Sequence, residues 1–202
     1  HDFANARVIV FIGRNPGAGL HLRQLREIAL AKTRGARIVA VDPRCSEIAS
    51  TADQWIRIRP GTDLALMLAL AHVMIKEDLY QKAFVENHTE GFEEFAQKVE
   101  TCTPAWAEEK TSIPKDTIVQ LARDMAAAAP SALIHRGYHG AMGTQYKNSL
   151  QLVRAVACVN GLMGNFNQRG GLFFGPKVKL GKLDKDKFPP VPPVQAVAAD
   201  GS

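Results

Sequence analysis

The sequence predicts an α/β fold built on a doubly wound, mainly parallel sheet. Short β-branched runs alternate with segments of helical period, and the connections between runs are long enough for crossovers rather than hairpins. With 202 residues, 46% hydrophobic and 22% charged, the chain can bury one sizeable core without a disulfide or metal staple.

Val8-Ile9-Val10-Phe11-Ile12, ended by Gly13, has the pattern of a central strand buried on both faces. After the turn Arg14 to Gly19, Leu22, Leu25, Ile28 and Ala29 recur at helical spacing opposite Arg23, Arg26 and Lys32, and Gly35 stops that helix. Arg37 to Val41 is a second β-branched run, so residues 8–42 form a right-handed βαβ unit. Glu47 to Ala52 reads as a short helix, Trp55 to Ile58 as a third strand, and Thr62 or Asp63 as the cap of a helix through about Lys76. Tyr80 to Ala129 is helical in character, broken at Gly91, Thr103-Pro104 and Ile113-Pro114. Ser131 to His135 returns to strand, a glycine-rich stretch from Gly137 to Gly143 follows, and Leu150 to Met163 is an apolar helix ended by Gly164. Together these elements describe a Rossmann-like α/β domain with helical additions over residues 1–175. Residues 176–202, rich in Lys and Pro, form an irregular C-terminal tail that serves as a linker or a surface-hugging strap.

Composition narrows the function classes. The formal net charge is +5, but Lys177, Lys179, Lys182, Lys185 and Lys187 against Asp184 and Asp186 place more than half of that excess in the tail. Elsewhere both signs mix without a basic stripe, so nucleic acid is not an expected partner. The longest nearly unbroken apolar run, Leu64 to Ile75, falls well short of the ~20 residues that cross a bilayer, so no membrane span is expected. Cys45, Cys102 and Cys158 are isolated from one another, which excludes zinc and iron–sulfur spacings and predicts buried free thiols. The start at His1, without a leader, suggests a piece excised from a longer chain.

Three clusters have the residue types for chemistry. The first is the turn Gly13-Arg14-Asn15-Pro16-Gly17-Ala18-Gly19, where small residues let backbone N–H groups approach a pyrophosphate at a helix N-terminus. Its order differs from G-x-G-x-x-G and Pro16 lacks a donor, so an ordinary tight turn stands beside that function. Asp42 ends the second strand roughly 20 residues beyond Gly19, the offset at which dinucleotide folds place a ribose-binding carboxylate. The second cluster joins Asp42-Pro43-Arg44 to Arg59-Pro60-Gly61-Thr62-Asp63, both just past strand ends. Asp63 either caps a helix or accepts two N–H bonds from the Watson–Crick edge of guanine, which adenine cannot offer because its N1 is an acceptor. The third runs from His135-Arg136-Gly137 through His139 and Gly143 to Gln145. Its glycines argue against a helix that would pair His135 with His139 on a metal, and leave a ligand wall or a solvated loop.

Gly13-Arg14-Asn15-Pro16, Val41 to Glu47, Ile58 to Asp63, Tyr80 to Phe92, and Gly143-Thr144-Gln145 with Asn160 to Asn165 together resemble the dimethyl-sulfoxide-reductase family of molybdopterin oxidoreductases. The likeness runs from about Val8 to Gly175. His135 to Gln145 and Gly170-Gly171-Leu172-Phe173-Phe174 look most like the catalytic subunit of thiosulfate and polysulfide reductases, then arsenate reductases and formate dehydrogenases.

That resemblance implies a bis-(molybdopterin guanine dinucleotide) cofactor carrying molybdenum. It places Gly13, Asn15, Pro16 and Gly17 near a pyrophosphate, Asp42 and Arg44 near a ribose or phosphate, and Gly61 and Asp63 at the guanine. Gly137, His139, Gly143 and Gln145 would lie beside a pterin, and Arg136 would hold an anionic sulfur substrate. The family's iron–sulfur segment and metal ligand precede the matched part and its closing domain follows it, so the piece alone is expected to be inactive. An iron–sulfur cluster in the longer chain, an iron–sulfur electron-transfer subunit, a membrane anchor subunit and a periplasmic location are further implications. An NAD(P)-binding domain and a non-enzymatic interaction module working through the tail are the alternatives.

Overall fold

The computed structural model describes residues 1–19, 21–137, 147–175 and 187. Four strands, β1 (Val8–Ile12), β2 (Arg37–Val41), β3 (Gln54–Ile56) and β4 (Ala132–Arg136), form one sheet in the order β3-β2-β1-β4. All neighbouring pairs are parallel, with Ile12 opposite both Val41 and Arg136, and Val41 opposite Ile56. The doubly wound parallel sheet expected from the sequence is the one observed. Strand β3 is shorter than the predicted run, because Ile58 turns into the core after pairing has ended.

Alternation along β1 divides the core in two. Val8, Val10 and Ile12 face a wide layer of α3 (Asp63–Lys76), α4 (Lys82–His88), α5 (Phe92–Val99), α6 (Pro104–Thr111), α7 (Lys115–Ala128) and α8 (Ser149–Leu162). Ile9 and Phe11 face a narrow layer made by α1 (Leu22–Thr33) and α2 (Glu47–Thr51). Helix α3 is apolar around most of its circumference because it lies between the sheet and the outer helices, where a polar face would be desolvated.

Two expectations need correction. In α1 Ile28 is buried and Leu25 half-buried as the spacing predicts, but Leu22 is 75% exposed and Ala29 is exposed, and Ala31 rather than Ala29 completes the inward stripe. The three cysteines are free, but none is buried: Cys45 and Cys158 are exposed and Cys102 is half-buried.

Strand β4 lies at the edge of the sheet, and two asparagines complete its hydrogen bonding where a fifth strand would stand. The Asn160 amide accepts from Ile134 N–H at 3.1 Å and donates to Ile134 O at 3.4 Å, and Asn165 Nδ2 donates to Ala132 O at 2.6 Å. This pins α8 against β4 and satisfies backbone groups that would otherwise be buried without partners. Among the described residues, no helix is long and apolar enough to cross a membrane.

Candidate functional site

Because every strand points the same way, the loops that follow them emerge along one edge, where open α/β sheets bind ligands. Three candidate residues stand side by side there through one repeated bond. Gly137 N–H donates to Ile12 O at 2.9 Å, Gly13 N–H to Val41 O at 3.0 Å and Asp42 N–H to Ile56 O at 3.2 Å. Gly137, Gly13 and Asp42 therefore form a row at strand spacing of about 4.8 Å. The order reverses between β1 and β4, so Gly13 and Gly137 flank the switch point. They touch so closely that a Cβ on Gly137 would lie 2.1 Å from Gly13 O. Gly13 itself has φ +53°, the left-handed conformation that lets the chain leave β1 sharply.

The turn after Gly13 is a 3-10 turn over Pro16–Ala18, with the buried Pro16 in its first position. Asn15 Oδ1 accepts the Ile48 N–H at 3.2 Å, so this side chain caps α2 from across the sheet edge. Ser46, the sequence-local cap, makes no capping bond and instead donates its hydroxyl to Asp42 Oδ2 at 3.4 Å. Gly17 packs against the Glu47 carboxylate, which lies 2.5 Å from where a Cβ would sit. The turn thus has an acidic neighbour that the sequence reading left out of the site. Arg14, near enough to act on the His135 charge and bonded through Nη2 to Gln24 at 3.2 Å, brings positive charge to the same end.

Asp42 is half-buried and folds back on its own loop. Its Oδ1 accepts the Arg44 N–H at 2.8 Å, an Asx turn, and its backbone carbonyl accepts from Trp55 Nε1 at 2.9 Å. Arg44 is exposed beyond it. Gly61, with φ +79°, turns the chain into α3, and Thr62 takes the cap position with its hydroxyl donating to Arg59 O at 2.7 Å. Asp63 is therefore the first residue inside the helix rather than the cap, and its side chain is only 5% exposed. Among the described residues, only its own N–H donates to that carboxylate. Burial, followed by the negative charge of Asp42, pushes its pKa up. A buried carboxylate with no other donor among the described residues fits a ligand that brings N–H groups.

Arg136 is half-buried at the end of β4, level with Ile12. His135, one residue earlier, points to the opposite side of the sheet and packs among the rings of His1, Phe3 and Phe11. Burial, then the positive charges of Arg14, the amino terminus, Arg136 and His21, push its pKa down to about 3. It is a neutral core residue rather than a ligand-wall group. His139, Gly143 and Gln145 lie outside the described residues, as does the tail apart from Lys187. Among the described residues no cluster of His, Cys, Asp and Glu has the makings of a metal site. The roles of Asn15 and Glu47 depend on contacts across 30 or more residues, for which the sequence holds no local signal.

Residues 1–191 match the sequence profile of the family described as molybdopterin oxidoreductase. The chain is 41% identical over 172 residues to the thiosulfate reductase molybdopterin-containing subunit of Salmonella typhimurium, a match covering 85% of this chain and 22% of that protein. It is 38% identical over 169 residues to formate dehydrogenase H of Escherichia coli, covering 83% of this chain and 23% of the relative. Among solved structures, acetylene hydratase from Pelobacter acetylenicus superposes with a TM-score of 0.76 at 32% identity, over 84% of this chain and 23% of that one. The chain spans less than a quarter of the length of these relatives.

Proposed function

The chain belongs to the molybdopterin oxidoreductase family, and on that premise we propose that it grips the guanine dinucleotide arm of the molybdopterin cofactor in an enzyme that reduces thiosulfate or polysulfide. The observation that carries the cofactor reading is Asp63, a buried carboxylate aligned with the strand-end loops and lacking donors from neighbouring described residues. Guanine supplies N1–H and a 2-amino group to its two oxygens, whereas adenine would set an acceptor against an acceptor. The row Gly13–Gly137 gives backbone room beside the switch point, and Arg44 and Arg136 offer cations to anionic groups. Bound there, the cofactor brings a molybdenum centre that exchanges oxygen or sulfur in two-electron steps.

Asp63 acts in its ionised form, so guanine binding must lower the raised pKa of that carboxylate. Affinity therefore falls as pH drops through the acid range. The 41% identity to a thiosulfate reductase subunit supports a sulfur substrate, and Arg136 is the residue proposed to hold its anion. An iron–sulfur partner subunit, a membrane anchor subunit and export from the cytoplasm belong to the same proposal.

Equilibrium binding of guanosine and adenosine diphosphates to the chain tests the cofactor reading. A preference for guanine that Asp63→Asn weakens by about 1–3 kcal/mol is expected. A preference for adenine that is lost in Asp42→Ala and unaffected by Asp63→Asn would instead make this a nicotinamide-type site. For the substrate, the complete enzyme is assayed with a reduced viologen dye. Thiosulfate-dependent dye oxidation, with KM raised in Arg136→Ala, supports the proposal. Turnover confined to formate ends it.

A further inference from the structure

A cavity of about 590 Å³ opens at the amino-terminal edge of the sheet, opposite the strand-end loops, and none of the candidate cofactor residues lines it. Four arginines converge on it from separate segments: Arg7 just before β1, Arg34 at the end of α1, Arg37 opening β2, and Arg169 in the segment after α8. Ala6, Ala36 and Ala128 form a buried floor whose small side chains leave the space open.

Among the described residues, direct pairing neutralises one of these cations. Arg37 pairs with Asp124 and also donates to Gln54 Oε1 at 2.7 Å. Arg34 and Arg169 instead donate to the same oxygen, Asn5 Oδ1, at 3.3 and 3.0 Å, and Arg34 donates again to Ala4 O at 2.9 Å. Two guanidiniums thus gather on one neutral acceptor. Arg7 is exposed at the rim, and its side chain has neither an ion pair nor a hydrogen bond among the described residues. The opposing charge is smaller: Asp2 stands behind Asn5 and accepts from its amide at 2.9 Å, and the carboxyl ends of α1 and α7 carry about half a negative charge each. Like charges drawn together in a recess, with N–H groups to spare, suit an anion that brings several acceptors at once.

We propose that this cavity binds a compact polyanion with adjacent phosphate groups, a diphosphate, held by the guanidiniums of Arg7, Arg34 and Arg169. A molecule of liquid water takes about 30 Å³, so the space far exceeds what a single tetrahedral anion fills. Two linked phosphates offer each guanidinium its own oxygens, in the forked geometry that arginine matches. The bound anion ties together the segment before β1, the α1–β2 turn and the segment after α8, and leaves the opposite edge of the sheet free for the cofactor.

Isothermal titration calorimetry of the full 202-residue chain with sodium pyrophosphate, at constant ionic strength, tests the proposal. Arg7→Gln together with Arg34→Gln should weaken binding about ten-fold or more, and both positions are exposed, so circular dichroism should be unchanged. Arg34→Lys alone, which keeps the charge without the fork, should show a smaller loss. Arg44→Ala and Asp63→Asn, at the other edge of the sheet, should leave this affinity intact, so the cofactor reading can fail without touching this one. ADP binding as tightly as pyrophosphate would support the diphosphate of a nucleotide as the source, and much weaker ADP binding the free inorganic ion. Equal affinity in wild type and double variant would overturn the proposal. So would a loss confined to Arg44→Ala, which puts the anion at the cofactor edge, or tighter binding of oligoglutamate than of pyrophosphate, which makes an acidic peptide the occupant.

Discussion

The two faces of the sheet are held by different amounts of structure. On the wide face, α3 buries Leu66, Met67, Leu70 and Met74 completely between the sheet and a second layer of helices. On the narrow face, α1 is nearly as long yet buries only Ile28 and Ala31, leaving Leu22 and Leu30 in contact with solvent. The candidate site draws on both. Asp63 opens α3, so the carboxylate proposed to read the base is anchored in the best-packed element. The Gly13–Gly19 turn leads into α1, so the stretch expected to meet phosphates hangs on the lightest one. Local stability follows buried apolar contact, which makes the wide face the rigid reference and the narrow face the side that adjusts.

Removing buried volume from the wide face is the strongest way to test that contrast. Leu70→Ala should cost about 2–5 kcal/mol in urea denaturation, because the rigid surroundings cannot close the cavity. A loss below 1 kcal/mol would mean the outer helices collapse freely and the contrast is false.

Acid sharpens the comparison from the narrow side. His135 is neutral when folded, with a pKa near 3, and titrates near 6.5 when unfolded. Between those values the unfolded chain binds the extra proton, so stability is complete above about pH 6.5. It declines by about 1.4 kcal/mol per pH unit as pH falls toward 3. His135→Phe should flatten that limb in denaturation curves recorded from pH 7 to 4, and an unchanged slope would place the acid sensitivity elsewhere. Asp63 works with the opposite sign. Its raised pKa makes the folded state bind more protons, so it lowers stability as pH rises through the acid range, and Asp63→Asn should remove that contribution.

A third variant addresses the edge where the faces meet. In Gly137→Ala the new methyl meets the Gly13 carbonyl, a backbone atom that cannot move without loosening β1 from β4. A loss of about 1–3 kcal/mol is expected, read as a lower urea midpoint with the cooperative slope retained. The smallest effect belongs to Leu30→Ala on the outer side of α1, within about 0.5 kcal/mol of wild type. A larger loss would show that α1 is held more firmly than its burial indicates.

The difference between the faces also marks what the sequence could convey. Strands β1 and β2 were legible because a β-branched run between turn residues has few other uses, and α3 because its apolar run is too long for a strand. Position at the sheet edge followed from parallel topology, which placed Gly13, Asp42, Gly61 and Gly137 among the candidates. In α1 the inward turn of Leu25 and Ile28 was legible, whereas Leu22 and Ala29 were misplaced because apolar residues also face solvent on the thin layer.

By itself the sequence determined the order of strands and helices, the parallel sheet and the family, since each rests on local pattern or on motifs spread along the chain. Only the tertiary structure decided that Asn15 caps α2, that Glu47 sits against Gly17, and that the Asn160 amide bonds the backbone of β4. It also decided that His135 belongs to an aromatic core while Asp63 is buried at the start of α3. Those outcomes depend on which polar groups lose water together, and that is fixed by the distance between segments in space, which no local stretch of sequence encodes.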